Sequence, residues 1–176
     1  MSGFNQGGGY NNRQNYSSKS QRSSGQGSYQ NEPVFTAEFI GKGFRKEDGK
    51  LRTDLLGDEA SKIAEQIAEQ ISNQISIKLS TSQLRAFYGE VKALESRLSD
   101  DGENFDDLFP FVLMLKSKAE YKYRNGKGKN FPKSFRDFIV KSVDEIKRVG
   151  NQQAFEDFCL LFEAVVGFVY GINGGK

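Results

Sequence analysis

The residues best suited to chemistry in this chain are cations. Between positions 116 and 136 lie Lys116, Lys118, Lys122, Arg124, Lys127, Lys129, Lys133 and Arg136, opposed only by Glu120, a local charge of +7. The rest of residues 32–176 holds 14 basic and 22 acidic residues, so the positive charge belongs to this stretch and not to the chain at large. Tyr121 and Tyr123 are interleaved with the cations, and Gly126 and Gly128 loosen the backbone. Cationic side chains neutralise phosphates, aromatic faces take stacked bases, and a glycine-containing loop lets both adjust. The pattern therefore suits a sugar-phosphate backbone. A basic helix end favoured by the helix dipole explains Lys122 and Arg124 as well, but not the run that continues to Arg136. A second set, Arg85, Gly89 and Lys92, falls on one stripe at helical spacing. A glycine between two cations suits either close approach of a phosphate or close packing of another helix, and the residue types do not choose between them.

Other chemistries are excluded or unsupported. The chain has no histidine, which removes imidazole acid–base catalysis, histidine metal sites and Ser-His-Asp or Cys-His nucleophiles. The single cysteine, Cys159, excludes an intrachain disulfide and a zinc knuckle. It stands among Phe155, Phe158 and Phe162, where a thiol stays protonated and inert. The acidic cluster Asp100, Asp101, Glu103, Asp106 and Asp107 lacks the alternating spacing, glycine and terminal glutamate of a calcium loop, and reads as helix-capping carboxylates. Gly43 to Lys50 fails as a phosphate loop because five residues, not four, separate its glycines and Leu51 stands where a hydroxyl must meet magnesium. No catalytic group, metal or cofactor is expected.

These residues need elements to hold them, and the chain divides into two parts. Residues 1–31 are Gly, Ser, Gln and Asn with Phe4, Tyr10, Tyr16 and Tyr29, three cations and no acid, a composition that predicts a disordered tail. Residues 32–176 read as an all-α domain of five helices with the basic loop near 116–136. Its first segment, Glu32 to Arg52, mixes aromatics with glycines and predicts a basic loop or short hairpin. Leu56, Ala60, Ile63, Ala64, Ile67, Ala68, Ile71 and Ile75 predict a first helix with one apolar stripe, capped at Gly57-Asp58. Ser80 and Gln83 form a capping box, and Leu79 and Leu84 a hydrophobic staple, at the head of a helix lined by Phe87, Val91, Leu94 and Leu98. Asn104 caps a third helix with Pro110 in its first turns and Phe111, Val112, Leu115 and Ala119 on one side, ending at Asn125-Gly126. Pro132 starts a fourth, with Phe135, Phe138, Ile139, Val143, Ile146 and Val149 inward and Gly150 closing it. The fifth, from about Gln152 to Tyr170, is apolar over most of its circumference, which makes it central to a core or shared with a partner. The opening residues carry no apolar run, and Leu160 to Ile172 is too short for a bilayer and contains Glu163. Neither a signal peptide nor a membrane span is expected, and the expected compartment is cytoplasmic.

Three stretches resemble the small subunit of type III-A CRISPR interference complexes, the Csm complexes. Lys78-Leu79-Ser80-Thr81-Ser82-Gln83-Leu84-Arg85 is similar to that family's Leu-Thr-Thr-Ser-x-Leu-Arg helix start. Phe158-Cys159, Phe162-Glu163-Ala164-Val165-Val166 and the closing Gly174-Gly175-Lys176 are similar to its C-terminal helix and tail. Between them, Leu115-Lys116 and Tyr121 resemble its Leu-Arg…Tyr helix, although Tyr123-Arg124-Asn125-Gly126 replaces the Ala-Gly-Arg found there. The resemblance implies a non-catalytic helical subunit that stacks in several copies and touches guide RNA and target RNA along the backbone, beside the other subunits of the complex. The residues alone leave two other readings open: an independent single-stranded RNA binder or chaperone, and a protein-interaction adaptor whose basic loop meets an acidic partner.

Overall fold

The computed structural model describes residues 35–68, 70–72, 75–77, 79–100, 102–125 and 131–174. The predicted tail, residues 1–31, lies outside the described residues, as do Asp101, Lys127 and Lys129. Five helices of eleven residues or more build the domain: α2 (Asp58–Ala68), α3 (Thr81–Ser99), α4 (Phe105–Asn125), α5 (Lys133–Val149) and α6 (Gln152–Gly174). A single-turn helix, α1 (Phe39–Lys42), and a 3-10 turn (Thr53–Leu55) precede them. The all-α class read from the sequence holds.

Local chemistry explains most of the boundaries. Ser80 Oγ accepts from the Gln83 amide and the Gln83 side chain accepts from the Ser80 amide, so both halves of the capping box at the head of α3 are made. Leu79 and Leu84, the two staple positions, are buried. Asn104 Oδ1 accepts from the Asp106 amide at the head of α4. Pro110 lies in the second turn of α4 without ending it, and its missing N–H leaves the Asp106 carbonyl without its helical donor. Gly150 closes α5 at φ 74°, where a side chain would be strained, and its amide returns to the Ile146 carbonyl at 2.8 Å.

Three sequence expectations need correction. The first helix does not reach Ile75. It ends at Ala68, and strands β1 (Gln70–Ser72) and β2 (Ile75–Ile77) pair antiparallel with Ile71 opposite Ser76. Ile67, Ile71 and Ile75 keep helical spacing, but Ser72, Asn73 and Gln74 between them favour a turn, and β-branched Ile71, Ile75 and Ile77 suit strands. Phe111 is exposed, because the buried stripe of α4 runs Phe105, Leu108, Val112, Leu115 and Ala119 and leaves Phe111 off its edge. Val149 is exposed in the last turn of α5.

The segment before α2 packs on the long helices through its aromatics. Phe35, Phe39, Phe44 and Leu55 join the core that α2 to α6 enclose. Its anchor is Arg45, which donates from Nε and Nη2 to the two carboxylate oxygens of Asp157 at 2.6 and 2.7 Å, and from Nη1 to the Gly49 carbonyl. Asp157, only 1% exposed, receives this fork on α6. The hydrogen bond to Asp157 holds the Arg45 guanidinium above its usual range.

Two substitutions should separate cap from anchor. Ser80→Ala removes one cap and should cost about 1 kcal/mol. Arg45→Ala strands a buried carboxylate and should cost about 3 kcal/mol, the low end for breaking a buried pair because Arg45 itself is partly exposed. Urea denaturation followed by circular dichroism measures both, and equal costs would place the anchor elsewhere.

Candidate nucleic-acid interface

α4 carries most of the predicted cations, and its neighbours decide what each is available for. Lys116 faces α5 and donates to Asp144 at 2.5 Å, while Lys118 faces α3 and donates to Glu90 at 2.8 Å. At the start of α5, Lys133 pairs with Asp137 at 3.3 Å. Arg136 spans Glu120 and Asp137, both at 3.1 Å, with its guanidinium 4.8 Å from the centre of the Tyr123 ring. These four cations bridge turns or helices. Lys122 and Arg124 stand apart at the C-terminal end of α4. Lys122 is exposed, its ammonium 5.9 Å from the Phe87 ring centre, and no carboxylate pairs with it among the described residues. Arg124 is 81% exposed at its side chain and meets Glu120 only at 3.5 Å. The positive pole of the domain is therefore the end of α4, from which the chain passes to Lys127 and Lys129.

The second set lies on α3. Arg85 donates from Nε to the Tyr170 hydroxyl of α6 at 3.1 Å, with its guanidinium 6.0 Å from that ring's centre. Lys92 sits 2.5 Å from Glu95 and 3.7 Å from Glu163, and the bond to Glu95 holds its ammonium above the usual range. Gly89 between them is exposed, and a methyl group added there would meet nothing within 4 Å. Among the described residues no helix packs on Gly89, and the surface over it is open.

The acidic groups are occupied locally. Asp100 accepts from Ser96 Oγ at 2.6 Å and from Ser99 Oγ at 3.1 Å, and these bonds hold its carboxyl below the usual range. Glu103 accepts two bonds from Arg97, at 2.9 and 2.7 Å, which depress its carboxyl likewise. Asp106 and Asp107 occupy the first turn of α4, where the helix dipole favours them. Cys159 is buried, and that burial pushes its thiol far above the range in which a thiolate forms. No group of three or more His, Cys, Asp or Glu is placed to hold a metal ion among the described residues.

Tyr170 escaped the sequence reading of the site, whereas Tyr121 was part of it and its exposure is what the structure adds. Tyr170 is visible as a partner for Arg85 only once α3 and α6 are side by side. Tyr121 is 68% exposed. Its signal in the sequence was the spacing Lys118-x-x-Tyr121-x-x-Arg124, which puts a cation one turn to either side.

No curated protein and no solved structure matches the chain significantly. A family model does, that of Csm2 Type III-A, over residues 56–170. The matched span opens two residues before α2 and closes within α6, so it takes in α2 to α5, most of α6 and both sets of cations. A match over most of the chain, in the same helical frame that carries the capping box of α3 and the phenylalanines of α6, leaves one assignment: the chain belongs to the Csm2 Type III-A family and is a structural subunit of the type III-A CRISPR complex.

Proposed function

We propose that this subunit holds the guide RNA and target RNA of its complex by their backbones and performs no catalysis of its own. The observation that carries this reading is the positive pole at the end of α4. Lys122 and Arg124 project there with little or no carboxylate company, and Lys127 and Lys129 follow in the sequence. Arg85 extends the surface along α3, and open Gly89 lets a backbone lie close to that helix. Lys92, Lys116, Lys118, Lys133 and Arg136 contribute through the field they add, since a phosphate must compete with their carboxylates. Such contacts carry affinity and not sequence, which in guided systems is left to base pairing. The absence of histidine and the local occupation of the acidic groups support the non-catalytic part.

The same subunit associates with neighbouring copies through the outer face of α6 in this reading. Leu161 is wholly buried in its own domain, whereas Leu160 and Phe168 are exposed on the helix that the core most needs covered.

Lys122, Arg124, Lys127 and Lys129 replaced together by alanine should weaken RNA binding for every sequence and flatten its salt dependence. The slope of log affinity on log salt should fall by about 0.7–0.9 for each phosphate that the variant no longer neutralises. Filter binding across a salt series measures this, and an unchanged slope in a folded variant refutes the site. Phe168→Glu should shift sedimentation towards monomer, or reduce incorporation into the complex, with the circular dichroism spectrum unchanged. Phe168 is 38% exposed, so a carboxylate there stays in water and the fold should survive.

A further inference from the structure

Tyr121 is the most exposed large apolar or aromatic side chain among the described residues. Its ring has no aromatic or cation–π partner, and its hydroxyl no hydrogen bond, among those residues. The other tyrosines of the domain differ: Tyr88 packs edge-on against Phe162, Tyr123 lies under Arg136, and Tyr170 accepts from Arg85. Tyr121 is thus presented without being used by the fold.

Its surroundings say what it is presented to. Phe111, Met114 and Tyr121 are all exposed along α4, but the two ends of that line differ in charge. Near Phe111 stand Asp106 and Asp107, and Arg97 already covers the Phe111 ring at 4.8 Å. Lys118 and Arg124 stand one turn before and one turn after Tyr121 on the same side of α4, while Lys122 turns towards Phe87 of α3. The core of a protein interface is depleted in charge, so cations one turn to either side of the ring are poor company for an apolar docking face. They are good company for a nucleotide, whose base stacks on the ring while its flanking phosphates meet the cations.

We propose that Tyr121 is a stacking platform for an unpaired base of the bound RNA, making the α4 end a site that grips one nucleotide by its face as well as by its phosphates. This rests on the RNA reading above and adds a base contact to it. The contact tolerates any base, because every base has a π-face, and it needs that base to be out of a duplex.

The full chain binding a single-stranded RNA that carries one 2-aminopurine, at a series of salt concentrations, tests the proposal with Tyr121→Ala and Tyr121→Phe. Tyr121→Ala should lose about tenfold in affinity, as expected for one stacked base. It should also lose the fluorescence quenching of the 2-aminopurine while keeping the wild-type salt slope, since no ionic contact is removed. Tyr121→Phe should behave as the wild type, because the ring and not the hydroxyl makes the contact. Fully duplex RNA should bind the alanine and wild-type proteins alike. The proposal is overturned if Tyr121→Ala binds the single strand normally, if Tyr121→Phe loses as much as Tyr121→Ala, or if the alanine variant keeps RNA affinity but drops out of the assembled complex, which would mark a protein-docking face. A wild-type protein that binds no RNA refutes the broader reading instead. Wild-type binding with an unaffected alanine variant refutes the platform alone.

Discussion

Everything in this domain is arranged around the need to cover α6. The helix has no basic residue and only three acids, so an apolar surface runs around most of it, and water must be kept from it on several sides at once. α2, α3 and α5 all pack on it, with α2 making the most extensive contact. Phe155, Phe158 and Phe162 form a ladder along its length. Phe158 and Phe162 stack at 5.7 Å, and Phe138 of α5 meets Phe162 edge-on at 5.5 Å. Such pairs add about 0.5–1.5 kcal/mol each beyond the area they bury. A helix so placed fixes the positions of its neighbours, and with them the cations on α3, α4 and α5.

The charged surface follows from that packing. Carboxylates and cations on adjacent helices meet at their seams, as Lys118 meets Glu90 between α4 and α3, Lys116 meets Asp144 between α4 and α5, and Lys92 meets Glu163 between α3 and α6. Exposed pairs of this kind are each worth about 0–1 kcal/mol. They stabilise little, but they decide which cations a phosphate can reach without competition. Towards the end of α4 that competition thins, where Arg124 meets Glu120 only at 3.5 Å and Lys122 meets no carboxylate among the described residues. The +7 of the 116–136 run is thus divided into a bridging part and an outward part.

The folded unit is larger than the region that matches the family. Residues 35–55 lie before that span, yet Phe39, Phe44 and Leu55 enter the same core and Arg45 clamps Asp157 of α6. Gly43, at φ 76°, brings this segment so near α5 that an added methyl group would come within 2.9 Å of the Glu145 carboxylate. Arg148 holds that carboxylate at 2.6 Å, so the approach is built on both sides.

The helices were legible in the sequence because their signals are local. The capping box of Ser80 and Gln83, the Asn104 cap, the left-handed Gly150 and the heptad-like stripes depend on residues within about one or two turns of each other. So did the concentration of charge, which is a count along the chain. The pairing of β1 with β2 was not legible, since isoleucines four residues apart satisfy a helical period as readily as they suit strands. Nor was the use of each cation. Whether a lysine bridges two helices or faces water depends on which carboxylate comes beside it across a seam, and those partners lie 28 residues away for Lys116 and Lys118. Residue types and spacing set the elements and the sign of the surface, because those depend on neighbours in sequence. Only tertiary packing, which brings distant side chains into contact, decided that Lys122, Arg124 and Tyr121 stand outward.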